Sequence, residues 1–250
     1  MKLAIMQPYL FPYIGYWQLI SAVDKFVVYD DVNFISRGWI NRNNILFDGK
    51  AKLVTLALSK ASINKLINEI DIANELGTKE AFLKTIQNAY KKAPFFQAVF
   101  PILEKVILNP ENNIASYILT SLKSICSYLG IQTEFIVSSD ISKDNSLRGD
   151  DKIVHICEIL GAKTYINPSG GVEIYHDNKF TEKGISLFFL RPELDKIRYA
   201  QWSSPFVNGL SIIDILMFNS PGEIQEKIIP KFQLMKKDDL QSFLKSKNEG

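Results

Sequence analysis

Apolar runs and helically spaced apolar residues alternate in the first part of the chain. The run at 3–6 predicts a buried strand, the spacing at 14–22 predicts a helix, and the run at 25–29 predicts a second strand. Because the links between these elements are short, we predict a βαβ unit, whose strands are parallel. The two runs around Asp48-Gly49 predict a β-hairpin after this unit.

The pattern turns helical in the middle of the chain and becomes mixed again towards its end. Predicted helices occupy 78–92, 96–108, 114–129, 149–160 and 212–217, and predicted strands occupy 134–137, 164–166 and 185–189. We therefore predict an α/β fold with a parallel-sheet, Rossmann-like core of the nucleotidyltransferase type and a helical insertion. The core takes residues 1–60 and 131–235, the insertion takes 61–130, and 236–250 form a tail, predicted to be a frayed helix.

Composition excludes several classes of protein. The 250 residues are 46% hydrophobic and carry 29 basic and 27 acidic side chains, a net charge of +2. This balance excludes a disordered chain and a general nucleic-acid-binding protein. No apolar run reaches the roughly 18 residues of a membrane span, and Pro8 interrupts the first run too early for a signal peptide, so we expect a cytoplasmic protein. Cys126 and Cys157 are predicted to be buried thiols, and their spacing offers no zinc site.

Aromatic side chains, 12% of the sequence, are concentrated around the link between the first predicted strand and the first predicted helix. In a parallel α/β sheet this link lies at the carboxyl ends of the strands, where ligands bind. The substrate-binding residues predicted here are Gln7, Tyr9, Tyr13, Gly15 and Tyr16. Gly15 lets the backbone approach a ligand or a neighbouring strand closely. The structural alternative is that these rings, with those of Phe11 and Trp17, pack in the core.

A second polar block follows the strand predicted at 25–29. It contains Asp30, Asp31, Asn33, Arg37, Trp39, Asn41, Arg42 and Asn43. The two guanidinium groups suit a phosphate or carboxylate, the indole suits a base or sugar ring, and the amides of residues 41 and 43 suit hydroxyl groups. Asp30 and Asp31 are the predicted catalytic carboxylates, as a general base or as ligands of Mg²⁺, and we assign no resident metal. The structural alternatives are that Arg42 pairs with one of them and that Asp31 caps a helix or turn.

A third candidate loop follows the strand predicted at 164–166. Ser169, Gly170 and Gly171 lie in it, and paired glycines expose backbone amides that can cradle an oxyanion; a plain turn is the alternative. Tyr175 is predicted to line the same cleft. His176 is the third catalytic candidate, because the neighbouring Asp177 offers a carboxylate to orient a ring nitrogen, although adjacent residues seldom do so.

Polar and aromatic residues also occur late in the chain. Tyr199 and Gln201 are predicted to bind a sugar or to pack against the first loop. Ser211 and Asp214 have the spacing of a helix N-cap and its third helical residue, which predicts a capping box.

Residues 6–17, which read MQPYLFPYIGYW, resemble the opening signature of the WbqC-like family. The resemblance continues through 30–34 and 37–43. It resumes at 89–94, 160–162, Tyr165, 169–171, Tyr175, Tyr199, Gln201 and 210–214, and so covers nearly the whole chain. Members of this family are bacterial and often lie in gene clusters for surface polysaccharides. The resemblance therefore implies a role in making or decorating an activated sugar.

A second likeness concerns Tyr13-Ile14-Gly15-Tyr16. It occupies the place where nucleotidyl-transferring α/β enzymes carry His-x-Gly-His, whose histidines bind nucleotide phosphates. Both histidines are tyrosines here, and a tyrosine with a pKa near 10 is not a cation at pH 7. This departure weakens the case for nucleotidyl transfer by the usual route, whereas nucleotide binding remains compatible with the motif.

Three functions are compatible with this sequence. The first is a transferase acting on a nucleotide-linked or amino sugar in O-antigen or other surface-polysaccharide biosynthesis, in one form by N-acyl or aminoacyl transfer. The second is a non-catalytic nucleotide- or sugar-binding accessory protein. The third is a nucleotidyltransferase with a degenerate His-x-Gly-His site. In each case the expected partner is a nucleotide-sugar or a similar phosphorylated small molecule, and the sequence assigns no cofactor.

Overall fold

Strands and helices alternate along the chain in the structure, a computed structural model that describes residues 1–73, 77–202 and 205–248. Residues 74–76 of the predicted insertion, 203–204 of the predicted core and 249–250 of the predicted tail lie outside these ranges. The strands are β1 (Lys2–Met6), β2 (Lys25–Val28), β3 (Arg42–Phe47), β4 (Lys50–Thr55), β5 (Leu58–Ser59), β6 (Asp71–Ile72), β7 (Glu134–Val137), β8 (Thr164–Pro168), β9 (Ser186–Pro192) and β10 (Phe232–Met235). The α-helices are α1 (Ile14–Ser21), α2 (Thr78–Tyr90), α3 (Phe96–Ile107), α4 (Ile114–Leu129), α5 (Gly149–Ile159), α6 (Asp177–Thr181), α7 (Ile212–Phe218), α8 (Pro221–Glu223) and α9 (Lys237–Asn248). Short 3₁₀ turns lie at Ile67–Glu69, Ser138–Asp140, Ser169–Gly171 and Leu194–Lys196, and a π-helical turn lies at Ile224–Ile228.

The main sheet has β1 in its interior and places its strands in the order β7-β2-β1-β8-β9-β10. The first five of these strands are parallel, and β10 runs antiparallel to β9. The chain builds outward from β1 through β2 to β7, and then continues with β8 on the other side of β1. The strand order therefore reverses between β1 and β8. Open α/β sheets form a crevice at the carboxyl ends of the strands at such a point.

Buried side chains alternate between the two faces of β1, as a strand covered on both sides requires. Leu3 and Ile5 belong to a core shared with Ile153 of α5. Ala4 belongs to the core on the opposite face, with Trp17 and side chains of α2, α3 and α4. The predicted mixed α/β fold with a mostly parallel sheet is thus confirmed. The proposed division into a core and an insertion stays a prediction, and the helices between β2 and β7 share an apolar core with the sheet.

Several local predictions agree with the structure. The βαβ unit is parallel, with Leu3 opposite Lys25, and β3 and β4 form the hairpin around Asp48-Gly49. Cys126 and Cys157 are free and buried, and burial raises the pKa of each thiol to about 12. Within the described ranges, no helix has both the length and the apolar character needed to cross a membrane.

The tail forms a helix, as predicted, but this helix is docked rather than frayed. Helix α9 is docked on the sheet, because Leu240 is fully buried in the core that contains Ile5. The Lys237 ammonium donates to the carbonyl oxygen of Tyr175 at 2.7 Å. The Gln241 amide donates to the Glu173 carboxylate at 3.0 Å. The tail therefore supports the segment 173–175.

Candidate functional site

A cavity of about 460 Å³ lies where the strand order reverses, and we call it the switch-point cavity. It is lined by Ile5, Met6, Gln7, Tyr9, Tyr13, Gly15, Tyr16, Tyr29, Ile35, Asn167, Pro168, Gly170, Gly171, Ile174 and Tyr175. Eight of the predicted substrate-binding residues meet here: Gln7, Tyr9, Tyr13, Gly15, Tyr16, Gly170, Gly171 and Tyr175. The volume falls within the range of small-molecule sites. Residues of two separate loops, one after β1 and one after β8, thus converge on one cavity.

The loop after β1 supplies three tyrosines to one wall of this cavity. The hydroxyl of Tyr16 donates to the carbonyl oxygen of Gln7 at 2.8 Å, and the rings of Tyr9 and Tyr16 lie 5.6 Å apart. Burial raises the pKa of Tyr9, Tyr13 and Tyr16. Their hydroxyls are therefore neutral at pH 7 and act as hydrogen-bonding groups rather than as anions.

Gly15 allows the start of α1 to pack closely at this wall. A Cβ on Gly15 would lie 2.5 Å from the hydroxyl oxygen of Tyr13 and 2.7 Å from Cγ of Pro192 on β9. Any larger residue would displace either the tyrosine or the helix. Because residue 15 has no side chain, Tyr13 can occupy its position and α1 can pack closely against the sheet.

The opposite wall comes from the loop after β8, which holds the predicted Gly-Gly pair. The buried Tyr165 hydroxyl lies 3.2 Å from Oδ1 of Asn167 and 3.3 Å from the Tyr175 hydroxyl. Gly171 makes room for this arrangement, since a Cβ there would lie 2.1 Å from Nδ2 of Asn167. Ser169 begins the 3₁₀ turn in this loop and accepts a backbone hydrogen bond from Val172. The cavity is therefore bounded by two preorganised polar and aromatic loops.

The aromatic cluster near the N-terminus divides between the core and the cavity. Phe11 and Trp17 are essentially fully buried, and the Trp17 indole donates to the carbonyl oxygen of Pro12 at 3.0 Å. The core alternative thus describes Phe11, Trp17 and also Tyr16, which is 2% exposed and packs in the same core while bordering the cavity. Tyr9 and Tyr13 are half-buried and line the cavity.

A second cavity, of about 510 Å³, adjoins the first at the carboxyl ends of β2 and β7, and we call it the basic cavity. It is lined by Tyr29, Asp31, Val32, Asn33, Leu66, Ser139, Lys143, Asn145, Arg148, Gly149 and Lys152. Tyr29 lines both cavities. Of the residues predicted from the sequence, Asp31 and Asn33 lie here, and Nδ2 of Asn33 donates to the carbonyl oxygen of Ile63.

Asp31 contacts two lysines of the basic cavity. One oxygen, Oδ2, lies 2.8 Å from Nζ of Lys143 and 3.2 Å from Nζ of Lys152. Burial of Asp31 favours its neutral form, but its hydrogen bonds and the two ammonium charges outweigh burial and lower its pKa. A carboxylate with a lowered pKa is a weak base, so the geometry favours an electrostatic role for Asp31.

Asp30, the neighbouring catalytic candidate, points into the protein. Its carboxylate accepts from the backbone N–H of Ser139 at 2.9 Å, from the Ser139 hydroxyl at 2.7 Å and from Nδ2 of Asn68 at 3.1 Å. It is 3% exposed. These bonds tie the end of β2 to the loop after β7, which is a bracing arrangement.

The block 37–43 lies outside both cavities. Arg42 donates to the backbone carbonyls of Gly38, at 2.9 Å, and of Arg37, instead of pairing with Asp30 or Asp31. The amide of Asn43 donates to the carbonyls of Leu10 and Phe11 at 3.1 and 3.0 Å. Asn41 donates to the carbonyl of Leu56 at 2.8 Å, Trp39 is 44% exposed, and Arg37 has a left-handed φ of 63°. These side chains shape the loop that carries Ile35, whose side chain lines the switch-point cavity.

His176 pairs with Asp150 and not with the adjacent Asp177. Its Nδ1 lies 2.8 Å from Oδ2 of Asp150, and Oδ1 of the same carboxylate accepts from Lys179 at 2.8 Å. The imidazole is 67% exposed and directly follows Tyr175 of the switch-point cavity. A carboxylate that orients an accessible histidine is an arrangement suited to proton transfer.

Tyr199 and Gln201 belong to a buried network away from both cavities. Asp214 accepts hydrogen bonds from the hydroxyls of Tyr90 and Tyr199 and, at 2.7 Å, from the amide of Gln201. Burial raises the pKa of Asp214, although these bonds oppose the rise. Ser211 caps α7 as predicted, but the capping-box prediction for Asp214 is wrong, because its carboxylate serves this network.

Sequence reasoning missed the basic cavity. Lys143, Arg148 and Lys152 lie in or next to the loop between β7 and α5, at the carboxyl edge of the sheet. The sequence predicts both the strand before this loop and the helix after it. The position of the loop at the carboxyl edge of the sheet is the signal from which its part in the site could have been predicted. Within the described ranges, no group of three or more His, Cys, Asp or Glu side chains is placed to hold a metal ion.

The strand order and the two cavities define an α/β protein with a ligand-sized site at the switch point of a mostly parallel sheet. The model of the WbqC-like protein family matches residues 7–226, and the chain belongs to this family. It is also similar to "Uncharacterized protein Rv1507c" of Mycobacterium tuberculosis (strain ATCC 25618 / H37Rv). The two are 28% identical over 225 residues, which cover 89% of this chain and 95% of the relative. No solved structure gives a significant match.

Proposed function

We propose that the protein is a cytoplasmic transferase acting on a nucleotide-linked sugar, and that it binds this ligand in the switch-point cavity. The observation that carries the proposal is the convergence of Tyr9, Tyr13 and Tyr175 on one cavity at the reversal of the strand order. Aromatic faces stack on bases and sugar rings, and neutral tyrosine hydroxyls bond sugar hydroxyls. Surface-polysaccharide biosynthesis, including that of O-antigen, is the context that the family resemblance implies.

The strand order of the sheet supports the proposal that the ligand contains a nucleotide. Its order, counted from β7 to β10, corresponds to the order 3-2-1-4-5-6 of dinucleotide-binding Rossmann folds, with an antiparallel last strand. In such sheets the ligand lies across the carboxyl ends of the two strands at the reversal, which are β1 and β8 here. A Rossmann-like core is therefore the more specific fold that we propose.

Of the three predicted catalytic side chains, that of His176 is the most accessible, and its chemistry suits an amide-forming reaction on an amino sugar. In acyl transfer, the sugar nitrogen bonds to the carbonyl carbon of an acyl or aminoacyl donor, and the bond from that carbon to the donor's leaving group breaks, so that the leaving group departs with the electron pair. The nitrogen loses a proton in this step, and a nearby base must accept it. The carboxylates of Asp30 and Asp31 are engaged in bracing bonds and in ion pairs. His176 is exposed and oriented by Asp150, so we assign the base to His176.

A non-catalytic binding protein is the second candidate. The observation that favours it is that two of the three predicted catalytic side chains, Asp30 and Asp31, make structural contacts. The degenerate nucleotidyltransferase receives less support, because the hydroxyl of Tyr16 already donates to the Gln7 carbonyl.

Ligand-induced thermal stabilisation tests the proposal. A panel of dTDP-, UDP- and GDP-sugars, the matching free sugars and ATP is added to the protein. A ligand at about 100 times its Kd stabilises the fold by about 2.7 kcal/mol, and we expect one nucleotide-sugar to raise Tm by roughly 5–10 °C. The matching free sugar gives a far smaller shift. If no nucleotide-sugar raises Tm, the proposal fails, and a shift with ATP alone favours nucleotidyl transfer.

Two tyrosine variants locate the binding. Tyr13→Ala removes a ring from the cavity wall, whereas Tyr128→Ala removes a half-buried ring from α4, outside both cavities. The ligand-induced shift, measured from each variant's own Tm, falls in Tyr13→Ala and stays in Tyr128→Ala. Turnover of the stabilising nucleotide-sugar with an acyl or aminoacyl donor, lost in His176→Ala, separates a transferase from a binding protein.

A further inference from the structure

The basic cavity carries more positive than negative charge. Its lining contains Lys143, Arg148 and Lys152 but only one carboxylate, that of Asp31. The side chains of Lys143 and Lys152 are 1% and 7% exposed. Burying a charged group is costly unless an opposite charge compensates it. An anion in this cavity would supply the missing compensation.

The ammonium groups of Lys143 and Lys152 differ in how many of their N–H groups already have a hydrogen-bond partner. Nζ of Lys143 contacts Asp31 and the backbone carbonyls of Ser138 and Ile141, so its three N–H groups have partners. Nζ of Lys152 contacts Asp31 at 3.2 Å and lies 5.3 Å from the Tyr29 ring. Among the described residues it has no other hydrogen-bond partner, which leaves two N–H groups for a ligand. Lys143 thus fixes the carboxylate, and the carboxylate fixes Lys152.

Arg148 and the start of α5 face the same cavity. Nη1 of Arg148 donates to the backbone carbonyls of Asn145 and Leu147, and its Nη2 and Nε groups make no hydrogen bond to the residues that the structure describes. Arg148 is also the N-cap of α5, and it makes no side-chain cap to the amides of the first turn. Gly149 lines the cavity, with nothing within 4 Å of where a Cβ would be. Exposed amides at a helix N-terminus favour an anion and add to the field of the lysines.

The carboxylates in the first turn of α5 are paired with positive or titratable groups outside the cavity lining. Asp150 is bonded to His176 and Lys179, and Asp151 lies 2.6 Å from the ammonium of Lys179. Neither carboxylate lines the cavity.

We propose that the basic cavity is an anion subsite that binds a phosphate or diphosphate group, with Lys152 and Arg148 donating to its oxygens. Because Tyr29 lines both cavities, a ligand with phosphates in the basic cavity places its base or sugar in the switch-point cavity. That second part rests on the proposed function, whereas phosphate binding alone does not. The sequence predicts that Arg37 and Arg42 bind a phosphate or carboxylate, but both lie outside the two cavities, and the subsite takes over this role.

Isothermal titration calorimetry at low salt tests the subsite with pyrophosphate, UDP and the nucleotide-sugar panel. The variants are Arg148→Ala, at an exposed residue, and Lys152→Met, which leaves Lys143 paired with Asp31. Lys163→Ala is the control, because it removes one exposed positive charge just before β8, at the opposite end of the strands. We expect each of the first two variants to weaken pyrophosphate and UDP binding about tenfold or more. The control stays within about twofold of the wild type.

The outcomes separate the subsite from the proposed function. If the wild type binds neither pyrophosphate nor UDP, or if both cavity variants keep its affinity, the subsite is overturned. If the variants lose pyrophosphate but no nucleotide-sugar binds more tightly than pyrophosphate, the subsite stands and the proposed function fails. If a nucleotide-sugar binds the wild type and both variants equally, the proposed function stands and the subsite is overturned.

Discussion

Asp31 holds two nearly buried ammonium groups in place, so its removal tests the electrostatics of the basic cavity. In Asp31→Asn, Lys143 and Lys152 lose the carboxylate that both of them contact. We expect the free energy of unfolding at pH 7 to fall by about 3 kcal/mol, as when one partner of a buried ion pair is removed. Urea unfolding measures the change, and Asp239→Asn, at an exposed residue of α9, is the control. A loss no larger than that of the control would contradict this role.

The same residue predicts a pH dependence. The pKa of Asp31 in the folded protein is lowered from the unfolded value of about 3.9, so its contribution to stability is present above about pH 4. It is lost as the pH falls through the folded pKa. The stability difference between the wild type and Asp31→Asn should therefore be constant from pH 5 to 8 and shrink below pH 4. A difference that grows on acidification would reverse the sign of the assigned shift.

Gly15 offers a second test at the scale of one residue. In Gly15→Ala the new methyl group would collide with Tyr13 and Pro192, and we expect a loss of about 1–3 kcal/mol in unfolding free energy. The nucleotide-sugar affinity should fall as well. Gly222→Ala is the matched control, since nothing lies within 4 Å of its Cβ position. Equal stabilities of the two variants would show that residue 15 tolerates a side chain.

Individual residues show where sequence patterns stop being informative. The spacing of the N-terminal aromatics places them near the end of β1, but it does not separate the buried Trp17 from the half-buried Tyr13. Burial depends on the strand register and on Pro192, which is far away in the sequence. The partner of His176 could not be predicted from the sequence either, because Asp150 lies on a different element, α5.

At the scale of elements, α9 is a support for the cavity wall. Leu240 is fully buried, whereas Leu244 on the same helix is 39% exposed. We expect Leu240→Ala to lower the unfolding free energy by about 2–5 kcal/mol and Leu244→Ala to have a much smaller effect. Hydrogen exchange should increase over 172–176 in the first variant only, because Lys237 and Gln241 hold this segment. Unchanged exchange there would show that the wall is independent of α9.

Elements with a strong local pattern could be predicted from the sequence, and those stabilised by distant partners could not. The buried run of β1 and the glycine stop of α4 at Gly130 are local signals. Strand β10 has a weak pattern and is held by pairing with β9. Its connection to α8 is also held by the buried Gln18 amide, which bonds the Ile228 and Lys231 carbonyls at 3.1 and 2.9 Å. The docking of α9 depends on the completed sheet in the same way.

For the whole molecule, the βαβ pattern in the sequence predicts a parallel sheet and the edge of the sheet at which a ligand binds. The order of the strands could not be predicted and is seen only in the three-dimensional structure. The order brings the loop after β1 beside the loop after β8, more than 150 residues later in the chain. It also places the loop after β7 next to Asp31. Three of the four loops that form the site, those after β1, β2 and β8, could therefore be identified from the sequence, and the fourth, after β7, contributes most of the positive charge.

The two cavities joined at Tyr29 are proposed to form one site for a nucleotide-sugar. A crystal structure with the most strongly stabilising nucleotide-sugar is the decisive test. We expect phosphates within hydrogen-bond distance of Lys152 and Arg148, with the sugar or base against Tyr13 and Tyr175. A ligand bound outside both cavities, for example at the opposite end of the strands between Asp24 and Gln132, would contradict this proposal.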